Sequence, residues 1–360
     1  MENSEGKKEK RLGIIGIIAM YLGMILGAGF SSGRECWQYF GVFGKLGYFG
    51  AVFNLLLFLA IGYMLTYIAL SKQTADLGEL ISPVDNKLLI NGIGTIIGLI
   101  YYTLIMSMSA AGSSLLQQQF GIPKPVGGVI IVILVIATVL GDFERLSKVF
   151  SKIMPVVFII SIFTIVITLL SSSFTQSGPV TGYEPSPMAP TWWFAGIIFA
   201  SYNIIGMIAM SGNCALRAKD RKTAFLGAGL GTFLLGLMTI LLLTALLKDM
   251  AYSASLDLPM LGYANRLSKP LAICYAVVLY GSIYSTASST FYGFSTRIPG
   301  IPAKKYILIA AAVIGFALGL LGFQTLVAYL YPPQGYFGIL VMILITVNYL
   351  KERRKNRNNR

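Results

Sequence analysis

Apolar runs of about 17 to 25 residues, each long enough to cross a hydrocarbon core, recur along the whole of this chain. The widest polar interval between them, residues 171–190, is too short to fold as a soluble domain. Charged residues make up only 12% of the 360 positions and hydrophobic ones 56%, a charged share roughly half that of soluble domains. The mean hydropathy is +0.73. These features predict an all-α integral membrane protein, with residues 1–360 forming a single membrane domain.

Ten spans are predicted, near residues 13–40, 46–70, 88–116, 125–141, 149–171, 191–212, 223–247, 265–296, 306–322 and 335–350. The first follows Lys7, Lys8, Lys10 and Arg11, as a secretory signal would. Many spans come after it and its small residues lead directly into Arg34-Glu35, so it reads as a retained helix. With the N-terminus inside, 22 of the 28 Lys and Arg fall on the cytoplasmic side, five outside and Arg34 within a span. That bias places both termini in the cytoplasm and the chain in the cell membrane. The net charge of +14 is therefore a topology signal, and the tail 351–360 (KERRKNRNNR) anchors to lipid headgroups rather than to nucleic acid. The partners expected are the bilayer and a small solute, with no nucleic acid and no obligate protein partner.

Ten spans divide into two sets of five, residues 12–171 and 191–350. A five-span half inserts opposite to its partner, which gives the inverted repeat common in secondary transporters. Interrupted helices are then expected at matching positions. Span 1 is interrupted at Gly27-Ala28-Gly29-Phe30-Ser31-Ser32-Gly33, and span 6 carries Ser201, Tyr202 and Asn203 within an apolar run. Three glycines in seven residues weaken a helix, and unwound backbone at membrane depth is tolerated only inside protein or along a cavity. Freed carbonyls can hold a cation, and freed N–H groups can receive a carboxylate. The other reading is a glycine packing seam.

Charges inside a span are costly and mark a pathway or a structural pair. Arg34 and Glu35, just beyond the break, are thus gate or substrate residues, or partners of neighbours at the outer interface. In span 8, Ser285, Ser288 and Ser289 share a helix face at i, i+3, i+4; they suit a hard cation such as Na⁺, or serve as interhelical glue. Tyr101 and Tyr102 in span 3 are placed to close over a substrate, or to sit at the interface. Lys148 and Lys152 read as cytoplasmic anchors; the other reading is that Lys152, near the cytoplasmic start of span 5, reaches a cavity between spans 1 and 8, where its ammonium would replace Na⁺ and titrate. Gly94 and Gly98, and the cluster Gly227, Gly229 and Gly231, follow no strand and read as packing devices rather than nucleotide loops. Cys36, Cys214 and Cys274 make no metal or redox pattern.

Residues Gly29 to Gly33 match the GxSxG nucleophile elbow, but the chain contains no histidine. A Ser–His hydrolase and histidine-ligated metal sites are excluded with it, no Walker motif is present, and no enzyme activity is predicted. Transport by this chain would draw on an ion gradient or be passive, with Na⁺ favoured over H⁺ and no resident cofactor.

The segment GMILGAGFSSGRECWQYFG, with ten spans and this length, resembles the YkvI-like amino acid permeases of bacteria. The resemblance implies membership of the amino acid–polyamine–organocation superfamily and a LeuT-type 5+5 fold with helices 1 and 6 broken. It implies substrate contacts from both breaks, and Na⁺ held between carbonyls near Met24 and Gly27 and the hydroxyls of Ser288 and Ser289. The function expected is alternating-access transport of an amino acid or similar zwitterion, probed by Tyr101 or Tyr102, Ser201, Tyr202 and Asn203. The alternative is a ligand-sensing membrane subunit of the same fold that does not transport; a channel is disfavoured by the lack of a filter repeat.

Overall fold

The computed structural model describes residues 11–358 apart from 26, 142, 173, 175, 180 and 181, with side chains throughout except at 24, 25, 28, 143–154 and 209. Arg145, Lys148, Lys152 and the sulfur of Met24 thus lie outside the described side chains, as does the methyl of Ala28; Lys7, Lys8 and Lys10 lie outside the described residues. Within these bounds the chain is all helical, and its one β-type contact is an isolated bridge from Leu12 to Ala218.

Each predicted span is occupied by helix. The first is split into α1 (Ile14–Ile25), α2 (Ala28–Ser31) and α3 (Arg34–Tyr39). The next four are α4 (Gly47–Lys72), α6 (Lys87–Phe120), α7 (Lys124–Leu140) and α8 (Phe143–Leu170), with the short α5 (Leu77–Ile81) between α4 and α6. The second half holds α9 (Trp192–Arg217), α10 (Arg221–Leu246), α13 (Lys269–Ser295), α14 (Lys304–Gly319) and α16 (Tyr331–Asn358). Three further short helices, α11 (Met250–Ser255), α12 (Pro259–Leu267) and α15 (Phe323–Tyr329), were not expected from hydropathy. Among the described residues, five helical stretches are each long and apolar enough to cross a membrane, and α9 makes a sixth if its bend is counted within one span.

Sequence chemistry sets the ends. Asn86 Oδ1 accepts from the N–H groups of Leu88 and Leu89 at the start of α6, and Asp220 does the same for Thr223 in α10, which satisfies donors that a first helical turn leaves free. Gly121 ends α6 at φ 68° and returns its N–H to Gln117 and Leu116, a left-handed cap that suits glycine. Pro123 then opens α7.

Lipid offers no hydrophobic drive between helices, so close contact through small residues holds them together. Gly227 and Gly231 of α10 press against Ile17 and Tyr21 of α1, and Gly338 of α16 against the Ser201 carbonyl of α9. Gly94 and Gly98 of α6 are also close-packed, with the Arg297 side chain lying over both. Two groups result. Helices α1, α4, α9 and α10 pack together, as do α6, α7, α13 and α14, while α8 touches both sets and α16 joins α4 and α9.

The chain ends share one face. Arg11 and Leu12 meet Lys219, and Lys351 and Asn348 of α16 bond to Pro83, Glu79 and Leu80. The opposite face carries α11, α12 and the start of α7.

Candidate functional site

The break in span 1 positions the site. Ile25 ends α1, and α2 makes a single turn whose Ser31 N–H returns to the Gly27 carbonyl. Gly33 then takes φ 82° against Met260, a conformation that a side chain would resist. Ser32 stitches the kink: its Oγ donates to the Gly29 carbonyl at 2.8 Å and accepts from the Arg34 N–H at 3.2 Å. Tyr275 Oη donates to the Ser31 carbonyl. Ser31, Ser32 and Gly33 therefore shape the break, and they do not line the cavity beside it.

That cavity has a volume of about 780 Å³ and runs between the two helix groups. It extends from Ile15, Ile18 and Met210, towards the terminal face, to Glu35, Tyr331 and Gln334 at depth. Its wall is mostly apolar. Gly27, Gly29, Phe30, Tyr101, Tyr202 and Asn203, all sequence candidates, line it, as do Ser285 and Ser289.

Arg34 and Glu35 part company at the break. Glu35 faces the cavity and is 6% exposed, with Oε2 accepting from Tyr202 Oη at 2.7 Å. Gly29 makes room for it, since a Cβ on that residue would lie 1.6 Å from Oε1. Among the described residues no Lys or Arg lies within ion-pair reach of Glu35, and none lines the cavity. Arg34 turns the other way. Its Nη1 reaches the carbonyls of Ala254 and Leu256 at 3.5 and 3.4 Å, and Nη2 reaches Gln38.

Those contacts belong to a seal on the face opposite the termini. Asp257 accepts from Ser114 Oγ at 2.7 Å and pairs with Lys124 at 2.8 Å. Gln118 bonds the Leu258 backbone in both directions, and the Met260 N–H donates to the Ser32 carbonyl at 2.9 Å. Burial by itself would raise the Asp257 carboxyl, but the hydrogen bonds from Lys124 and Ser114, with the Lys124 charge, bring it below the ordinary carboxylate range.

Several expectations are corrected. Span 6 is not interrupted at Ser201-Tyr202-Asn203: α9 runs through them as helix and bends by 48° between Ile208 and Met210. Ser201 donates to the carbonyls of Ile198 and Gly335 and serves the α9–α16 contact. Tyr102 leaves the site, its hydroxyl donating to Ala311 and its ring against Phe294. Ser288 is buried off the cavity wall, with its Oγ unbonded. Hydropathy missed Tyr331 and Gln334 of α16 and the seal of residues 254–260. The pair Pro332-Pro333 beside a glutamine in an apolar run was the available signal for the first, and the isolated acid Asp257 for the second.

No family model matches the chain. It is 22% identical to the uncharacterized membrane protein YkvI of Bacillus subtilis (strain 168) over 348 residues, covering 94% of this chain and 95% of that one. It is likewise 22% identical to the protein YyaD of the same organism over 328 residues, covering 91% and 94%. Among solved structures it is similar to the Eremococcus coleocola manganese transporter bound to an aromatic bis-isothiourea compound, with a TM-score of 0.56 and 16% identity over 97% of this chain and 81% of that one. A point mutant of the same transporter matches over the same shares of both chains with a TM-score of 0.53. The chain is thus a helical membrane protein with a fold like that of a known transporter.

Proposed function

We propose that this chain is a secondary transporter that moves a small amino-bearing organic solute across the cell membrane by alternating access. The observation that carries the reading is a membrane-depth cavity sealed at one face by Arg34 and residues 254–260 and extending towards the other. Among the described residues the seal lies at one face, which is the arrangement of a carrier caught in one state, here the inward one, with the termini cytoplasmic.

The contact pattern supports ten spans in a 5+5 inverted repeat. Moving each span five places along the order turns the contact of spans 2 and 6 (α4·α9) into that of 7 and 1 (α10·α1). It turns spans 3 and 9 (α6·α14) into 8 and 4 (α13·α7), and spans 10 and 6 (α16·α9) into 5 and 1 (α8·α1). All six contacts are present. Na⁺ as coupling ion would bind between the Gly27 backbone and the hydroxyls of Ser285 and Ser289, which face the same cavity. The manganese cargo of the structural neighbours finds no cluster of three His, Cys, Asp or Glu among the described residues.

The test is thiol accessibility. With exposed Cys274 replaced by Ser, an Asn203→Cys variant should react with an impermeant reagent from the cytoplasmic side of vesicles and be protected by solute. Equal labelling from both sides would indicate a channel and overturn the reading. A sensor subunit would show solute protection without any change in sidedness.

A further inference from the structure

The deep end of the cavity holds a carboxyl group that no cationic side chain among the described residues meets. Glu35 is only 6% exposed on a helix inside the membrane, yet among the described residues its only hydrogen-bond donor is the neutral Tyr202 hydroxyl. Arg34, the preceding residue, is committed to the seal on the far side of the break. An isolated carboxylate at membrane depth is costly, and such groups are retained where a positive partner arrives. Oε1, pressed towards Gly29, receives no donor from the described residues and is the free acceptor of the pair.

The surroundings say what kind of positive partner fits. Tyr202 and Tyr331 stand edge to face at 5.3 Å, and Phe30 completes an aromatic wall around the carboxylate. Aromatic faces beside a carboxylate suit an organic ammonium, which gains from both. The rest of the wall is mostly apolar, with neutral polar groups such as Asn203, Ser285 and Gln334, and among the described residues no cationic side chain lines it to receive a substrate carboxylate. A zwitterion bound here would leave the site with one uncompensated negative charge, whereas a monocation leaves it neutral.

Resting on the transporter reading above, we infer that the preferred cargo is a primary amine with an apolar, aromatic-sized body and no carboxylate, its ammonium held by Glu35 beside Tyr202 and Tyr331. The cavity accepts the body, and the carboxylate neutralises the head.

A matched set of probes tests this on the purified full chain, by thermal shift in detergent and by uptake into proteoliposomes: phenethylamine, phenylalanine, phenylpropionate and Mn²⁺. Phenethylamine should stabilise the protein and be taken up saturably, and phenylalanine and phenylpropionate should do so far more weakly. Glu35→Gln should weaken phenethylamine binding by about ten- to a hundredfold, the effect of losing a hydrogen bond between charged groups. Glu35→Asp should recover part of that affinity. Tyr202→Phe, which leaves the charge in place, should cost less than Glu35→Gln and keeps the test open if the glutamine variant fails to fold. Saturable uptake of phenylalanine in preference to the amine, or of Mn²⁺, would overturn the amine assignment and leave the transporter reading standing. Glu35-dependent amine binding with no flux would uphold the assignment and overturn the transporter reading.

Discussion

Glu35 and Gly29 are a coupled pair, because the carboxylate occupies the space that any side chain on residue 29 would need. Gly29→Ala should therefore displace Glu35 and destabilise the fold by about 1–3 kcal/mol, the usual cost of overpacking. A melting temperature equal to that of the parent would show that the carboxylate has room to move. Asp257 gives the pH prediction. Its folded pKa lies below the unfolded one, so its contribution is fully present above the ordinary carboxylate range, near pH 4, and fades as pH falls through the folded value. Asp257→Asn should flatten that part of the acid-denaturation profile, and an unchanged profile would remove Asp257 from the seal. Neighbouring residues on a helix point about 100° apart, so the sequence separates Arg34 from Glu35. It could not say which of them meets the cavity, because that depends on how the kink at Gly33 turns α3. The same limit applies to Ser285, Ser288 and Ser289: one face is legible from spacing, and the wall they meet is set by α1.

At the scale of elements, α9 shows why a polar triplet is weak evidence for a broken helix. Ser201 and Asn203 return their side chains to the carbonyls of Ile198 and Phe199, so their polar groups are satisfied without unwinding. Span 1 differs because three glycines remove the local preference for helix and Gly33 needs a positive φ. Ser201→Ala should lower stability by roughly 1 kcal/mol through its lost bond to Gly335 while leaving ligand affinity unchanged; an affinity loss in a binding titration would return Ser201 to the site. The seal formed by α11 and α12 was hidden from hydropathy because it is held by backbone groups and scattered polar side chains, which carry no periodic pattern.

At the scale of the whole molecule, the number and position of the helices were legible, because lipid permits few alternatives to long apolar helices. Their pairing was not, since contacts between spans depend on small residues and shape rather than on hydrophobic period. The pairing is what creates the cavity, between α1, α9 and α13, and it is also what the five-place shift reproduces. The central claim is that this cavity opens alternately to the two sides. Counterflow measures that directly: proteoliposomes loaded with unlabelled phenethylamine are diluted into trace labelled amine. A carrier whose loaded site exchanges between faces predicts a transient internal accumulation of label above equilibrium, abolished in Glu35→Gln. Label that rises to equilibrium without an overshoot, or never enters, would contradict the account.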